Sequence, residues 1–600
     1  MAHRNLLTRG RWYGRAWLAA MCFGGSQLAS ANIDVEIHGI DDPLRANVLV
    51  YLSFERYKKR TDLSADTVER LHNRVEREVE SALKPFGYYE PKVDSEVQDL
   101  GHGDWRVTLE IDPGPPVLIE KIDVHVLGAG AADPLFERIT AKPPLHAGDR
   151  LSHAAYEAIK GDLQRTAATY GYLDAKLTRN ELVVDASSRT AQITLEMQTG
   201  ERYRFGPTTI QQSSVRDSLV RRYLRYHEGD YFDLTQILRT QFALDDAQYF
   251  ANLEVLPAEA DRQTHVVPVN IHADKSRRNR YSFGAGYATD TGVRGTLTWE
   301  NRRLNTLGHR FSLTLEASQV EHYLLQARYI IPIGDPAVEN LTFQSTIQQL
   351  QLADITTHTQ SIGPSVTRLS GGWQTVLFAN AMRTTDDTSF GISNTERLIV
   401  PGIDIASVPK GYLGEPIFQH PFFAEIRGSD PKIGSDATFL QLHLQAEHVF
   451  PIANRWHLLL RDEIGATAVS NFSQVPAIMR FFAGGDNSVR GFAFDELSPV
   501  DTVCQRDKQG NPIQCATVRD GGKDLITGTV EVIRDLPRNF GVATFFDYGN
   551  AFNHFGDPLE YAAGVGFRVR LPVVTLGVDV AQPLSRSGGP RLHINFSPKL

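Results

Sequence analysis

The sequence has no long hydrophobic run beyond its first 31 residues. Nothing after residue 31 approaches the roughly 18 consecutive apolar residues that a membrane-crossing helix needs, so we expect no transmembrane helix. The apolar stretch near the start, "AWLAAMCFGG", is short and follows four arginines between residues 4 and 15. Together with the small residues "ASA" at 29–31, this pattern predicts a secretory signal peptide over residues 1–31.

Cysteine is scarce, with three in 600 residues. Cys22 lies in the predicted signal peptide, which leaves Cys504 and Cys515 in "CQRDKQGNPIQC". Two thiols make a poor zinc site without nearby histidines, whereas a cysteine pair in an exported chain is typical of a disulfide. We therefore expect Cys504 and Cys515 to be disulfide partners, and we expect no metal site.

The chain has fewer basic than acidic residues, and it also lacks the common catalytic motifs. Residues 1–31 hold four of the 62 basic residues and none of the 71 acidic ones, so the rest of the chain has a net charge of −13. That balance argues against a nucleic-acid partner. The sequence has no Gly-Lys-Ser/Thr phosphate loop, no His-Glu-x-x-His and no Gly-x-Ser-x-Gly. We expect no enzyme, no catalytic residues and no cofactor.

The first half of the chain contains an internal repeat. "HAGDRL" at 146–151 recurs as "HEGDYF" at 227–232, and an aromatic turn occurs three times, as "PFGYYEPKV", "TYGYLDAKL" and "AQYFANLEV". Amphipathic helical patterns precede these turns, and two alternating strands follow each one. The repeat predicts three α+β modules of the form β-α-α-β-β, at residues 32–116, 117–199 and 200–275.

Residues 276–600 read almost entirely as strands that alternate apolar and polar side chains, such as "RYSFGAGYA" and "VATFFDYGNAF". About 16 such segments, with aromatics near their ends, are typical of an antiparallel transmembrane β-barrel. A soluble β-sandwich is the alternative, but it would expose repeated apolar faces to water. The pattern favours a 16-stranded barrel over residues 276–600.

One long connection between two predicted barrel strands, residues 472–522, contains "RFFAGGDNSVRGFAFDELSP". Its glycines and its arginine suggest a phosphate-binding loop, but the strand-turn-helix context of such loops is missing. A loop of this length is usually functional or disordered, and its aromatics favour burial (Phe481, Phe482, Phe492 and Phe494). We expect the loop to fold back into the barrel.

A buried Arg490 would need acidic partners. The alternation of outward apolar and inward polar residues along the predicted barrel strands identifies two candidates. Glu531 lies between Val530 and Val532, and Asp547 between Phe546 and Tyr548, so both acids are predicted to face the lumen. Arginine suits this role because its planar fork binds carboxylates bidentately. Gly484, Gly485 and Gly491 would let the backbone approach the wall closely. The alternative is a solvated arginine in an external loop.

The combination of three such modules with "SVRGF" in the long loop of a barrel resembles the POTRA-plus-barrel assembly factors of the bacterial outer membrane (the BamA/TamA type). "SVRGF" matches the signature of that superfamily, "FFDYGNAF" resembles its next conserved strand and "RLHINFS" its last one. Three modules and "RFFAGGD" are most similar to the TamA family. The resemblance implies that Arg490, Gly491 and Phe492 anchor the loop inside the barrel, with Glu531 and Asp547 as partners of the arginine.

The family resemblance also implies localisation, function and partners. The modules would lie in the periplasm and the barrel in the outer membrane, where the protein would help to insert or translocate client proteins such as autotransporters. The implied partners are a TamB-like inner-membrane-anchored periplasmic protein, unfolded outer-membrane clients and outer-membrane lipid. Phospholipid transport with such a partner, and general barrel insertion of the BamA type, remain alternatives. A passive porin and a purely structural tether are further ones.

A lateral seam is expected where the first and last barrel strands meet. The lipid-facing residues of the first strand are predicted to be Tyr281, Phe283 and Tyr287, with Gly284 and Gly286 facing inward. Those of the last strand are Leu592, Ile594 and Phe596. Glycines weaken a strand, and Pro598 cannot donate to a ladder. We expect a short seam whose free edges accept a client strand.

Overall fold

The structure is a computed structural model that describes residues 33–598, except for 59, 61–62, 102–103, 389–390, 409–421, 507–511 and 571–573. The predicted signal peptide lies outside the described residues. The chain divides into two compact units, Met1–Tyr203 and Arg204–Leu600. Among the described helices, none combines the length and the apolar character that crossing a membrane requires.

The first unit contains the first module, which is a three-stranded sheet covered by helices. Its strands are β1 (Ile33–His38), β2 (Lys92–Gly101) and β3 (Asp104–Asp112), and its helices are α1 (Asp42–Tyr51), α2 (Ser53–Tyr57), α3 (Ala65–His72) and α4 (Val75–Leu83). The sheet order is β1-β3-β2, with β1 parallel to β3. Four helices replace the two that the sequence predicts. The fully buried Leu52 adopts an extended backbone between α1 and α2, and a turn at residues 73–74 separates α3 from α4.

The second module of this unit repeats the same sheet topology. Its strands are β4 (Leu118–Leu127), β5 (Lys176–Asp185) and β6 (Thr190–Gln198), and its helices are α5 (Pro134–Ala141) and α6 (His153–Thr169). Tyr156, Ile159 and Leu163 form the buried face of α6, at the spacing that the sequence indicates. β4 pairs parallel to the central strand β6, as β1 does with β3.

The second unit begins with the third module. Its strands are β7 (Arg204–Gln211), β8 (Phe250–Pro257) and β9 (Val266–Lys275), and its helices are α7 (Asp217–Arg221) and α8 (Leu234–Asp246). The sheet order β7-β9-β8 again has the last strand in the centre. The same arrangement in all three modules is the structural counterpart of the sequence repeat.

Sixteen strands of the described chain close into one antiparallel barrel, and two more strands form a hairpin inside its longest loop. The barrel strands are β10 (Asn279–Ala288), β11 (Gly292–Asn301), β12 (Arg310–Ala317), β13 (Glu321–Pro332), β14 (Glu339–Leu352), β15 (Ile355–Ser370), β16 (Trp373–Thr388), β17 (Ser393–Ser407), β18 (Phe422–Ser429), β19 (Phe439–Ala453), β20 (Trp456–Val469), β23 (Asp524–Leu536), β24 (Phe540–Phe552), β25 (Glu560–Arg570), β26 (Val574–Pro583) and β27 (Arg591–Pro598), and the hairpin strands are β21 (Val500–Arg506) and β22 (Pro512–Arg519). The predicted fold of α+β modules followed by a 16-stranded barrel is confirmed.

Alternation along the barrel strands separates an outer apolar face from an inner polar one. In β24, Phe546 is 41% exposed on the outside, while the neighbouring Phe545 and Asp547 are 5% and 0% exposed on the inside. A strand period of two makes this separation inevitable once the sheet closes. The inner face of β23 to β26 therefore brings charged side chains into the lumen.

The third module packs against the turns at its end of the barrel. The buried Tyr249 hydroxyl donates to the Gly308 carbonyl at 2.8 Å, in the turn between β11 and β12. Arg225 donates to both carboxylate oxygens of Asp335, in the turn between β13 and β14. These contacts orient the first barrel strands relative to the module.

The seam between β10 and β27 is short. β10 pairs with β11 along its whole length, but within the described residues it pairs with β27 only where Ala288 lies opposite Asn595. Tyr281, Phe283, Tyr287 and Leu592 are exposed on the outer face, and Ile594 is half-buried. The side chain of Phe596 lies outside the described part of the structure. Most of the β10 edge is therefore unpaired in the described chain.

Candidate functional site

The connection between β20 and β23, residues 470–523, is called the long loop, and its described residues before the β21–β22 hairpin fold back into the barrel. Phe481, Ala483, Val489, Phe492 and Leu497 of this loop form a buried cluster with wall residues Leu525, Ala551 and Ala562. Phe482 is half-buried, but Phe494 is 37% exposed, so the expectation that all four aromatics are buried is wrong for Phe494. Phe494 instead lines an open cavity of about 420 Å³. The long loop is thus a packed element with apolar contacts of its own.

Arg490 of the long loop binds Asp547 of β24 through three hydrogen bonds. Its Nε donates to Asp547 Oδ2 at 2.8 Å, and its Nη2 donates to Oδ1 at 2.9 Å. Its backbone N–H also donates to Oδ2, at 3.0 Å. This is the bidentate fork geometry that makes arginine–carboxylate pairs both strong and directional. The pair fixes both the side chain and the backbone of Arg490 against the wall.

The remaining nitrogen of the guanidinium reaches two further acids. Arg490 Nη1 donates to Glu531 Oε2 on β23 at 2.8 Å and to Asp579 Oδ2 on β26 at 3.1 Å. The guanidinium carbon lies 3.3 Å from the centre of the Phe545 ring, close enough for a cation–π contact. Arg490 is therefore enclosed by acids and an aromatic ring, and it is 3% exposed.

A second arginine completes the charge arrangement. Arg568 on β25 donates to Glu531 Oε1 at 3.1 Å and to both carboxylate oxygens of Asp579. Two arginines thus face three carboxylates across four adjacent strands, and we call this set of five residues the arginine network. Buried charges are stable only when they are paired and hydrogen-bonded. Because each carboxylate in the network binds an arginine, the network can hold the loop deep in the lumen.

Sequence reasoning predicted Arg490, Glu531 and Asp547, and the structure brings these three together. It missed Asp579 and Arg568. Both could have been found by the rule that selected the first two acids, because Asp579 lies between Val578 and Val580 and Arg568 lies between Phe567 and Val569. The sequence contains no signal that singles out Phe545 as the ring beneath the guanidinium.

The three predicted loop glycines have different neighbours. Gly491 has φ of +97°, and a side chain there would press on Ala562 and Pro583 of the wall, as expected for close approach. Gly484 and Gly485, both at φ of +105°, do not lie against the barrel wall. Gly484 faces the carbonyl of Ala493 in the same loop, and Gly485 faces Asp290 in the turn after β10. The wall-approach interpretation therefore applies to Gly491 alone.

Further contacts tie the rest of the long loop to the barrel. Asp386 on β16 accepts the backbone N–H of Ala477 at 2.7 Å, and Gln441 on β19 donates to the Met479 carbonyl at 2.8 Å. Cys504 and Cys515 lie opposite each other on β21 and β22 and form a disulfide. The disulfide joins the two strands of the hairpin to each other. Neither strand contains a residue of the arginine network.

Family comparisons match both parts of the chain. Residues 34–113 match the family described as POTRA domain TamA domain 1, and residues 422–597 match the Omp85 superfamily domain. The second match includes the long loop and every member of the arginine network.

Individual relatives agree with these matches. The outer membrane protein assembly factor BamA of Nitratidesulfovibrio vulgaris is 22% identical over 459 residues, which are 71% of this chain and 54% of that protein. BamA of Buchnera aphidicola is 19% identical over 300 residues, 48% of this chain and 47% of that one. The chain spans about half the length of these curated relatives.

A solved structure shares the fold. The crystal structure of BamA from Haemophilus ducreyi lacking POTRA domains 1–3 superposes with a TM-score of 0.62 at 15% identity, and the match covers 79% of this chain and 98% of that one. Modules of the POTRA type, a 16-stranded barrel and a long loop within the Omp85 match are thus found in one chain. The two domain matches and the BamA relatives support a POTRA-plus-barrel protein of the Omp85 type, with its barrel in the outer membrane and its POTRA domains in the periplasm.

Proposed function

We propose that this protein assembles or translocates outer-membrane client proteins, autotransporter-type barrels among them, by pairing their strands with the unpaired edge of β10. The observation that carries the proposal is the seam, where β10 meets β27 at Ala288 and Asn595 while both strands are fully paired on their other sides. An unpaired edge offers backbone donors and acceptors to an incoming strand. The assembly-factor name of the BamA relatives supports the same function.

A TamB-like periplasmic protein is the partner that we propose for the first module. The match of residues 34–113 to TamA domain 1 supports this choice. In the described part of that module, β1 and β2 are the outer strands of the sheet, so each has one edge available to a partner strand. The proposal includes no chemical step, and we assign no catalytic residue.

The test is a reversible lock across the seam. Cysteines at Ala288 and Asn595, which lie opposite each other, would join β10 to β27 on oxidation. The matched control places cysteines at Tyr287 and Val293, which are opposite each other on β10 and β11 and do not cross the seam. Both variants are reconstituted in lipid vesicles and supplied with an unfolded autotransporter barrel domain, whose folding is followed by its resistance to unfolding in detergent.

We expect oxidation to stop client folding in the seam variant and to leave the control active, with activity returning on reduction. Client folding by a fully oxidised seam variant would overturn the proposal. Phospholipid transfer between vesicles is measured in parallel. Transfer that depends on the protein, together with client folding that does not, would favour lipid transport instead.

A further inference from the structure

The end of the seam away from the third module, which we call the outer end, is closed by side chains of the long loop. Thr289 follows β10 directly. Its backbone N–H donates to the Ile594 carbonyl at 3.0 Å, and its hydroxyl accepts the Ile594 N–H at 3.0 Å. The same hydroxyl donates to Asp486 of the long loop at 3.1 Å. One threonine thus joins the first strand, the last strand and the loop.

His593 on β27 makes the second connection to the loop. Its Nδ1 lies 2.6 Å from Asp486 Oδ1, and its Nε2 accepts the backbone N–H of Gly491 at 2.9 Å. Because Nε2 accepts a hydrogen bond, a neutral His593 carries its proton on Nδ1 and donates it to Asp486. The side chains of His593 and Asp486 are 5% and 7% exposed, so water competes little for these bonds.

We propose that Thr289, Asp486 and His593 form a seam clasp, in which Asp486 holds the first and last strands together at the outer end and ties seam opening to the position of the long loop. The inference rests on the proposed function in one respect, since it names what regulates the same seam. Asp486 and His593 act on the client only through the strands, so they are positioning residues.

Coupling to the arginine network follows from the sequence positions within the loop. Asp486 precedes Arg490 by four residues, and Gly491, which binds His593, follows it directly. Arg490 is held by Asp547 through its backbone as well as its side chain. If the loop leaves the network, Thr289 loses its bond to Asp486, and His593 loses its bonds to Asp486 and to the Gly491 N–H. The seam then keeps only its strand–strand bonds near Ala288.

A metal ion is the competing explanation of this cluster. Ligand atoms of Asp290, Asp486 and His593 lie within 4.8 Å of one another. Metal binding through His593 would require a lone pair on Nδ1, but the bond from Gly491 to Nε2 places the proton there. One oxygen of Asp290 is also occupied, because it accepts the backbone N–H of Asp486. The hydrogen bonds favour the clasp over a metal site.

The experiment measures seam width in the purified full-length protein without client. Spin labels at Phe283 on β10 and Val578 on β26 report the separation of the two sides of the seam, and both side chains point outward, away from the clasp. Asp486→Ala removes the central residue of the clasp. Asp354→Ala is the matched control, because Asp354 also accepts a backbone N–H of the long loop, from Arg519 at 3.0 Å, but lies between β14 and β15.

We expect Asp486→Ala to populate distances longer by at least one strand spacing, roughly 5 Å, and Asp354→Ala to match the unmodified chain. Two replacements of His593 test its bond to Asp486 and its bond to Gly491 one at a time. His593→Asn keeps an N–H near the position of Nδ1 and should retain the short distance, whereas His593→Gln keeps an acceptor near Nε2 and should lengthen it.

Unchanged distances in Asp486→Ala, or equal lengthening in Asp354→Ala, would overturn the clasp. Lengthening of the unmodified protein on addition of EDTA would also overturn it and would identify a metal site. These distances are recorded without client. They therefore test the clasp independently, even if client folding continues when the seam is cross-linked. Conversely, failure of the clasp leaves the result of the seam lock unaffected.

Discussion

Arg490 and Asp547 form a buried bidentate ion pair, with Nε and Nη2 of the arginine 2.8 and 2.9 Å from the two carboxylate oxygens, and Asp547 also accepts the arginine's backbone N–H. The pair joins a loop residue to a wall residue that lies 57 positions later in the chain. Within the arginine network, it attaches the long loop to β24 through both the side chain and the backbone of Arg490.

Arg490→Ala should release the long loop. The substitution leaves the buried Asp547 without its arginine, whereas Glu531 keeps Arg568, and breaking a buried pair in this way costs about 3–5 kcal/mol. Protease sensitivity of the loop in the folded barrel measures the effect. Arg519→Ala is the control, because its pair with Asp354 is partly exposed and should contribute about 1 kcal/mol or less. Equal sensitivity of the two variants would contradict a special role for Arg490.

Asp547→Asn and Asp579→Asn should differ, although each removes one acid from the network. Either change leaves two arginines and two carboxylates, so charge balance alone predicts equal effects. Asp547 makes three hydrogen bonds to Arg490, whereas Asp579 makes one. We expect Asp547→Asn to loosen the loop more, by about 1–3 kcal/mol, as measured by protease sensitivity. Identical behaviour would show that charge, and not geometry, holds the loop.

Replacing Cys504 and Cys515 with serine should affect the hairpin alone. A disulfide between residues 11 positions apart lowers the entropy of the unfolded hairpin. In the chain-entropy model it therefore stabilises the folded hairpin by about 3 kcal/mol. The covalent link is separate from the arginine network, so only cleavage within residues 500–519 should accelerate. Mass spectrometry of the fragments locates the cuts. Accelerated cleavage at residues 480–495 would mean that the hairpin supports the arginine network.

The first unit should lose stability as the pH falls. His153 at the start of α6 lies 2.8 Å from the Tyr89 hydroxyl, and its burial lowers its pKa below the ordinary value of 6.5. The folded state then binds fewer protons than the unfolded state, so stability is present above pH 6.5 and declines as the pH falls through that value. Urea titrations at pH 7.5 and 5.5 measure the difference. His153→Gln should flatten this dependence; an unchanged pH dependence would assign it to other groups.

Gly308→Ala should weaken the attachment of the third module to the barrel. Gly308 has φ of +76°, and a side chain there would overlap Leu219 and the Tyr249 hydroxyl, an overpacking cost of about 1–3 kcal/mol. Gly372→Ala is the control, because Gly372 has φ of +84° but no neighbour within 4 Å of the added carbon. Hydrogen exchange in α7 should accelerate in the first variant only. Acceleration in both would reflect backbone strain and not the contact.

The barrel and its inward acids could be predicted because strand alternation is a local property. Val530 and Val532 place Glu531 inside, whatever the rest of the chain does, and the same rule applies to Asp547, Asp579 and His593. The break between α1 and α2 was not predictable in this way. It depends on Leu52 entering the core, where burial outweighs one interrupted turn of helix.

The sequence by itself determined the three-module repeat, the closed alternating sheet and a long loop whose arginine needed acidic partners. Only the tertiary structure decided which acids meet Arg490, that Gly491 is the one of the three predicted glycines that lies against the wall, and that Asp486 reaches both Thr289 and His593. The physical reason is the range of the interactions. Alternation and helical spacing act over a few residues, whereas the contacts of Asp486 span 197 and 107 positions and exist only once the barrel has closed around the loop.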